Sequence, residues 1–222
     1  MNLEQESRIV ERATPFTMTE PWAVRQLSRE VNRVVNEDIP GAFVECGVWK
    51  GGSMVAVALT LLELLAGDRE LYLFDTFEGM TKPEEVDVDF IGGSALETFE
   101  RTKTSEDRST WACAPLAGVR SAMESTHYPN ERVHYVQGKV EDTLPSQAPE
   151  KIALLRLDTD WYASTKHELE HLFPRLSVGG TLIVDDYGHW AGSKKAVDEF
   201  LVGRPETLIA WNYTVRMLVK EA

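Results

Sequence analysis

Five short apolar runs punctuate the chain, and stretches with helical periodicity separate them. The runs are 42–46 (AFVEC), 71–75 (LYLFD), 133–137 (VHYVQ), 152–158 (IALLRLD) and 181–186 (TLIVDD). Several are apolar at both alternating positions, as parallel strands buried on both faces must be. Helical patterns lie near 52–66, 115–126, 164–176 and 193–202. Strands alternating with helices build right-handed βαβ units, and so an α/β fold with a doubly wound sheet.

Two further runs, 207–211 (TLIAW) and 213–219 (YTVRMLV), follow too closely on one another for a crossover helix. They predict an antiparallel hairpin. A mostly parallel seven-stranded sheet closed by a C-terminal antiparallel strand resembles the Rossmann-like methyltransferases. Ahead of the first strand, Val24, Leu27, Val31 and Val34 recur at helical spacing behind Pro21, which suits a first helical turn. Residues 1–38 are therefore read as a helical segment beside the sheet or a lid over the site. Residues 76–114 break the pattern, with Pro83, Gly92, Gly93 and the acids Glu84, Glu85, Asp87 and Asp89. Two readings stay open there: a solvated loop with a short helix at 94–103, or a substrate-specificity insertion, taken broadly as 76–130.

The chain has 222 residues, suited to a single domain over 1–222. Its 36 acids against 23 Lys and Arg, net charge −13, argue against nucleic acid and anionic membranes as partners. No apolar run reaches the roughly 20 residues of a membrane span, and the first thirty residues contain no signal-peptide apolar region. Two cysteines, Cys46 and Cys113, without a CxxC pair, suit a reducing cytoplasm rather than a disulfide scaffold.

After the first strand the sequence runs Glu45-Cys46-Gly47-Val48-Trp49-Lys50-Gly51-Gly52-Ser53. A glycine turn opening a helix leaves backbone N–H groups free beside the positive end of the helix dipole, where a carboxylate or phosphate fits. The spacing is not G-x-G-x-x-G, which weakens a nicotinamide reading. E-x-G-x-x-x-G instead resembles the first motif of S-adenosylmethionine (SAM) methyltransferases. Asp75 closes the second strand, where an acid accepts ribose hydroxyls in doubly wound folds.

Asp158 ends the fourth strand and Asp185-Asp186 the fifth. If those strands are neighbours, three carboxylates converge at the carboxyl ends, where ligands of such sheets bind. Their repulsion calls for a cation, and oxygen-only donors favour magnesium or calcium. Asp160 shares the parity of Asp158 on an extended chain and can face the same pocket without binding the same ion. Arg156 lies inside the strand and reads as a buried cation paired with an acid. His167-Glu168-Leu169-Glu170-His171 matches the zinc-protease pattern H-E-x-x-H. Its histidines fall nearly opposite the apolar face set by Leu169, Leu172, Phe173 and Leu176, so a solvated helix face is expected instead.

VECGVWKGG, LFDTFEGM, LRLDTDWYAST and DDYGHWAGSKKAVDEF resemble the motifs of the macrocin O-methyltransferase family, magnesium-dependent sugar methyltransferases of antibiotic biosynthesis. The resemblance runs from about Gly41 to Leu201. It implies SAM held by Glu45, Gly47, Gly51, Ser53, Asp75 and Asp158, with Val140 and Glu141 of the segment Gly138–Glu141 beside the adenine. It implies magnesium on Asp158, Asp185 and Asp186, with Asp160 as general base. His189, near the fifth strand end, is the alternative base. The implied acceptor is a hydroxyl of a sugar or glycosylated small molecule, and similar enzymes are often homodimers. Two other readings are a catechol-type aromatic O-methyltransferase and a non-catalytic SAM-binding module.

Overall fold

The computed structural model describes residues 1–222. Its centre is one seven-stranded sheet, formed by β1 (Ala42–Cys46), β2 (Leu71–Asp75), β5 (Val133–Gln137), β6 (Ile152–Leu157), β7 (Leu176–Val184), β8 (Ile209–Ala210) and β9 (Arg216–Val219). The order across the sheet is β5-β2-β1-β6-β7-β9-β8. All pairings are parallel as far as β7, and β9 then runs antiparallel to both β7 and β8. The predicted α/β sheet with its reversed C-terminal strand is thus present. Its first three strands match their apolar runs residue for residue. The fifth differs: β7 begins at Leu176 and ends at Val184, so Asp185 and Asp186 lie just beyond it. The fourth likewise ends at Leu157, one residue before Asp158.

Helices cover both faces. On one face lie α1 (Leu3–Ala13), α2 (Pro21–Asn36), α3 (Gly52–Glu63) and α5 (Leu116–Glu124), packed into a core with Phe43, Leu71, Leu73 and Leu154. On the other face lie α6 (Val140–Thr143), α7 (Tyr162–Leu172) and α8 (Ala191–Leu201), against Val44, Phe74, Leu155 and Leu182. The predicted stripe Val24, Leu27, Val31 and Val34 is buried along α2, with Pro21 in its first turn. A second helix of the 1–38 segment, α1, starts from a capping box. Asn2 Oδ1 accepts from the Gln5 amide at 2.9 Å and Gln5 Oε1 from the Asn2 amide at 2.8 Å. No helix is long and apolar enough to cross a membrane.

The irregular region contains α4 (Ala95–Thr102) and a small hairpin, β3 (Lys103–Ser105) with β4 (Arg108–Ser109). It is not a solvated loop throughout. Asp87 is fully buried and accepts from the Tyr162 amide at 2.9 Å, satisfying the N-terminus of α7 in the absence of a local side-chain cap. The Trp161 indole donates to the Thr81 carbonyl at 3.2 Å. The segment is therefore clamped over the carboxyl end of β6.

Candidate active site

The chain passes from β1 to β2 on one side and returns to β6 on the other, so the strand order switches beside β1. In such sheets a crevice opens at the carboxyl ends at that point. A cavity of about 300 Å³ lies there. Its floor includes Gly47, Ser53, Asp75 and Val140, and its far end reaches Asp158, Asp160, Asp185 and Asp186. Phe16–Thr19 from the N-terminal segment and Gly79–Thr81, Trp111 and Ala112 from the irregular region line it as well. The N-terminal segment and the irregular region thus both contribute walls.

The glycines of the loop answer first to packing. Gly47 has φ +80°, and a Cβ there would sit 2.0 Å from the Asp158 carbonyl oxygen. The amide of Asp158 donates to the Cys46 carbonyl at 2.8 Å, so the ends of β1 and β6 are in direct contact. A Cβ on Gly52 would sit 2.5 Å from Thr17 Cβ, because the N-terminal strap lies directly on the start of α3. Gly51 takes φ +90° as the residue preceding α3. Neither Gly51 nor the exposed Glu141 lines the cavity.

Asp75 holds the loop in place. Its Oδ2 accepts from the amides of Val48 (2.7 Å) and Trp49 (3.0 Å), and its Oδ1 from that of Phe77 (2.7 Å). Burial raises its pKa against these three backbone donors. The acid expected at the ribose therefore shapes the glycine turn and the start of the next loop.

Arg156 is the hub of the acidic end. It is buried and donates from Nη1 to Glu45 (2.6 Å) and Asp158 (2.5 Å), and from Nη2 to Asp185 (2.7 Å). One guanidinium thus gathers acids from β1 and from the ends of β6 and β7. Glu45 is buried outside the cavity lining and reaches the site through Arg156. Its pKa is pushed up to about 8, by burial, while Arg156 and the Ser53 hydroxyl pull the other way. Asp185 is raised to about 6, by burial, with Arg156 opposing.

The carboxylates whose oxygens lie within 4.8 Å of one another are Asp158, Asp160 and Asp186. This grouping differs from the expected Asp158, Asp185 and Asp186: Arg156 holds Asp185 on Nη2 and Asp158 on Nη1, and of these two only Asp158 also comes within reach of Asp160 and Asp186. Asp160 joins because the chain does not stay extended. Asp160 has φ +70°, which turns it out of the strand direction just before α7. A non-glycine residue in that conformation carries about 1–3 kcal/mol of strain, and such strain gathers at functional sites. Asp160 Oδ2 accepts from the Trp190 indole N–H at 3.0 Å. Its pKa is pushed up to about 8, by burial first and by Asp158 second. Asp186 is raised well above its ordinary value, by burial and by the neighbouring carboxylates. Its Oδ2 is enclosed without a partner.

Residues 2–207 match the family described as Macrocin-O-methyltransferase (TylF). The chain belongs to this family. Among its relatives, it is 35% identical over 157 residues to the 8-demethyl-8-(2,3-dimethoxy-alpha-L-rhamnosyl)-tetracenomycin-C 4'-O-methyltransferase of Streptomyces olivaceus, covering 71% of this chain and 57% of that protein. It is 31% identical over 188 residues to the demethyldecarbamoylnovobiocin O-methyltransferase of Streptomyces niveus, covering 85% of this chain and 68% of that protein. The solved structure of the O-methyltransferase NovP superposes with a TM-score of 0.80 at 28% identity, over 93% of this chain and 83% of that one. The fold of this macrocin O-methyltransferase family member is that of the Rossmann-like SAM methyltransferases.

Two features escape the sequence reading. Glu168, inside the H-E-x-x-H match, is fully buried. Its Oε2 accepts from the Thr159 hydroxyl at 3.2 Å, and its Oε1 is enclosed without a partner. Burial holds its pKa well above the ordinary value. The flanking His167 and His171 are half-buried rather than solvated, their rings 4.3 Å apart, and neither lines the cavity. The second feature is a cluster of Trp111, Trp161 and Trp190 packed edge to face, with centroids 5.1–6.1 Å apart, beside Asp160. Indoles scattered over three segments carry no spacing that reveals it.

Proposed function

We propose that this chain is a SAM- and magnesium-dependent O-methyltransferase acting on a hydroxyl of a sugar or of a sugar-linked small molecule. The observation that carries the proposal is the junction of the glycine-loop cavity with the Asp158, Asp160 and Asp186 cluster. Oxygen-only donors suit a hard divalent cation. The enclosed, unpartnered Asp186 Oδ2 is a donor atom that such a cation would satisfy. Asp158 and Asp186 would hold magnesium, with Asp185 fixed behind them by Arg156. Bound there, magnesium supplies charge that orients a pair of neighbouring hydroxyls and lowers their pKa. SAM supplies the electrophilic methyl group, and its amino-acid end suits the turn around Gly47 and Ser53.

Asp160 would take the proton from the attacking hydroxyl. Its Oδ2 is oriented by Trp190, and its raised pKa places it near the working range of a general base at neutral pH. Trp111 and the strap at 16–19 would exclude water. The sugar class is supported by the relatives, at 31–35% identity, one of which is described as acting on a rhamnosyl-bearing compound. The segment 76–130 would select the acceptor.

The reading is tested with methyl-labelled SAM, magnesium and a panel of rhamnosides and catechols. Label on a sugar hydroxyl is the expected result. Label on catechols alone would assign the chain to aromatic methylation, and no transfer to any acceptor would favour a binding module.

A further inference from the structure

Phe90 and Tyr213 are large apolar side chains left 63% and 60% exposed, yet both are rigidly displayed. Phe90 sits on a turn stapled by Asp89, whose Oδ1 accepts from the amides of Ile91 (2.9 Å) and Gly93 (2.8 Å). Tyr213 sits on a turn stapled by Asn212, whose Oδ1 accepts from the amides of Thr214 (2.9 Å) and Val215 (2.6 Å). The two turns are distant in sequence, but their rings meet with centroids 5.6 Å apart. His189 completes the group, 5.4 Å from Phe90.

This group continues the active site. The His189 ring packs at 4.8 Å against Trp190, whose indole N–H holds Asp160. The His189 amide donates to the Asp186 carbonyl at 2.9 Å. One ring therefore separates the acidic cluster from an exposed aromatic surface.

We infer that Phe90, His189 and Tyr213 form a platform for a planar apolar ring carried by the acceptor beyond its reacting sugar. The inference rests on the sugar-methylating reading above. Two observations favour this occupant over a second copy of the chain. The patch is small: aromatic side chains offer about 150–250 Å² each, so Phe90 and Tyr213, exposed to this degree, present roughly 200–300 Å² together. A stable protein interface needs about 800 Å² from each partner. The display is also preorganised, since side-chain staples fix both turns, and preorganisation lowers the cost of binding a small rigid ligand.

The test compares 2-naphthyl α-L-rhamnopyranoside with methyl α-L-rhamnopyranoside, titrated calorimetrically into full-length protein loaded with magnesium and S-adenosylhomocysteine. The naphthyl glycoside is expected to bind at least about 10-fold more tightly. Phe90→Ala and Tyr213→Ala should each cut that ratio by about 5-fold or more; both side chains are exposed, so the core is untouched. Equal affinities in the unsubstituted protein, or a ratio unchanged in both variants, would overturn the platform. So would a dimer that Phe90→Ala converts to monomer with the ratio intact, which would assign the patch to a second copy. Methyl transfer is read separately on the same two glycosides. Its absence from both, with the binding ratio preserved, counts against the proposed reaction and leaves the platform standing.

Discussion

Trp190 donates its indole N–H to Asp160 Oδ2 across 3.0 Å, and Trp190 is itself buried against Trp111 and Trp161. The donor cannot swing away without disturbing that cluster, so it fixes one oxygen of Asp160 and stabilises its ionised form. Trp190→Phe keeps the ring and removes the donor. The alkaline shift of Asp160 should then grow, and the acid limb of the kcat–pH profile should move to higher pH. A profile unchanged in position would show that the hydrogen bond does not act on the base.

Arg156 offsets three acids at once, and removing it leaves Glu45, Asp158 and Asp185 without their partner. Breaking a buried ion pair from one side costs about 3–5 kcal/mol. Arg156→Met should lower the urea midpoint accordingly at neutral pH. The loss should shrink in mild acid, where the raised pKa values of Glu45 and Asp185 leave those two carboxyls neutral in the folded chain. A variant as stable as the parent at neutral pH would rule out this role.

Glu168 makes stability depend on pH in a definite direction. Burial raises its folded pKa well above the ordinary carboxyl range. The folded chain therefore keeps a proton that the unfolded chain releases, and stability falls as pH rises above the unfolded value. Glu168→Gln removes that dependence. Its Tm relative to the parent should improve steadily as pH rises above the unfolded carboxyl pKa of about 4.3 toward neutrality. A constant or shrinking difference over that range would contradict the assignment.

Asp160→Asn preserves shape and suits the left-handed backbone there, since Asn tolerates positive φ. The variant should still bind S-adenosylhomocysteine, while kcat at saturating magnesium falls by about 10²–10⁴-fold. Near-parental kcat in Asp160→Asn, with collapse in His189→Ala, would move the role of base to the histidine.

Much of this organisation is legible in the sequence, for reasons specific to each element. AFVEC, LYLFD and VHYVQ are short runs whose limits coincide with parallel strands, AFVEC buried throughout and the edge strand VHYVQ only at Val133 and Val136, so their limits can be read directly. The close spacing of the last two runs reveals the hairpin for a topological reason. α1 buries one stripe at helical spacing, Glu6, Ile9, Val10 and Ala13, but a charged residue opens that stripe and only three of its members are apolar, so its limits are harder to read. The burial of Asp87 and Glu168 is hidden because each answers to a tertiary neighbour: the start of α7 for one, Thr159 for the other. The carboxylate grouping depends on a single torsion. On an extended strand Asp160 would share a face with Asp158 but stand about 6.6 Å further along, and the left-handed turn at Asp160 brings the two together.

The central claim is that Asp158, Asp160 and Asp186 form a magnesium-dependent centre for methyl transfer to a sugar hydroxyl. The most direct measurement is transfer of labelled methyl from SAM to a rhamnoside, with EDTA and then with magnesium restored. The account predicts labelled sugar ether only when magnesium is present, with Asp186→Asn needing a higher magnesium concentration than the parent. Full transfer in EDTA would contradict it.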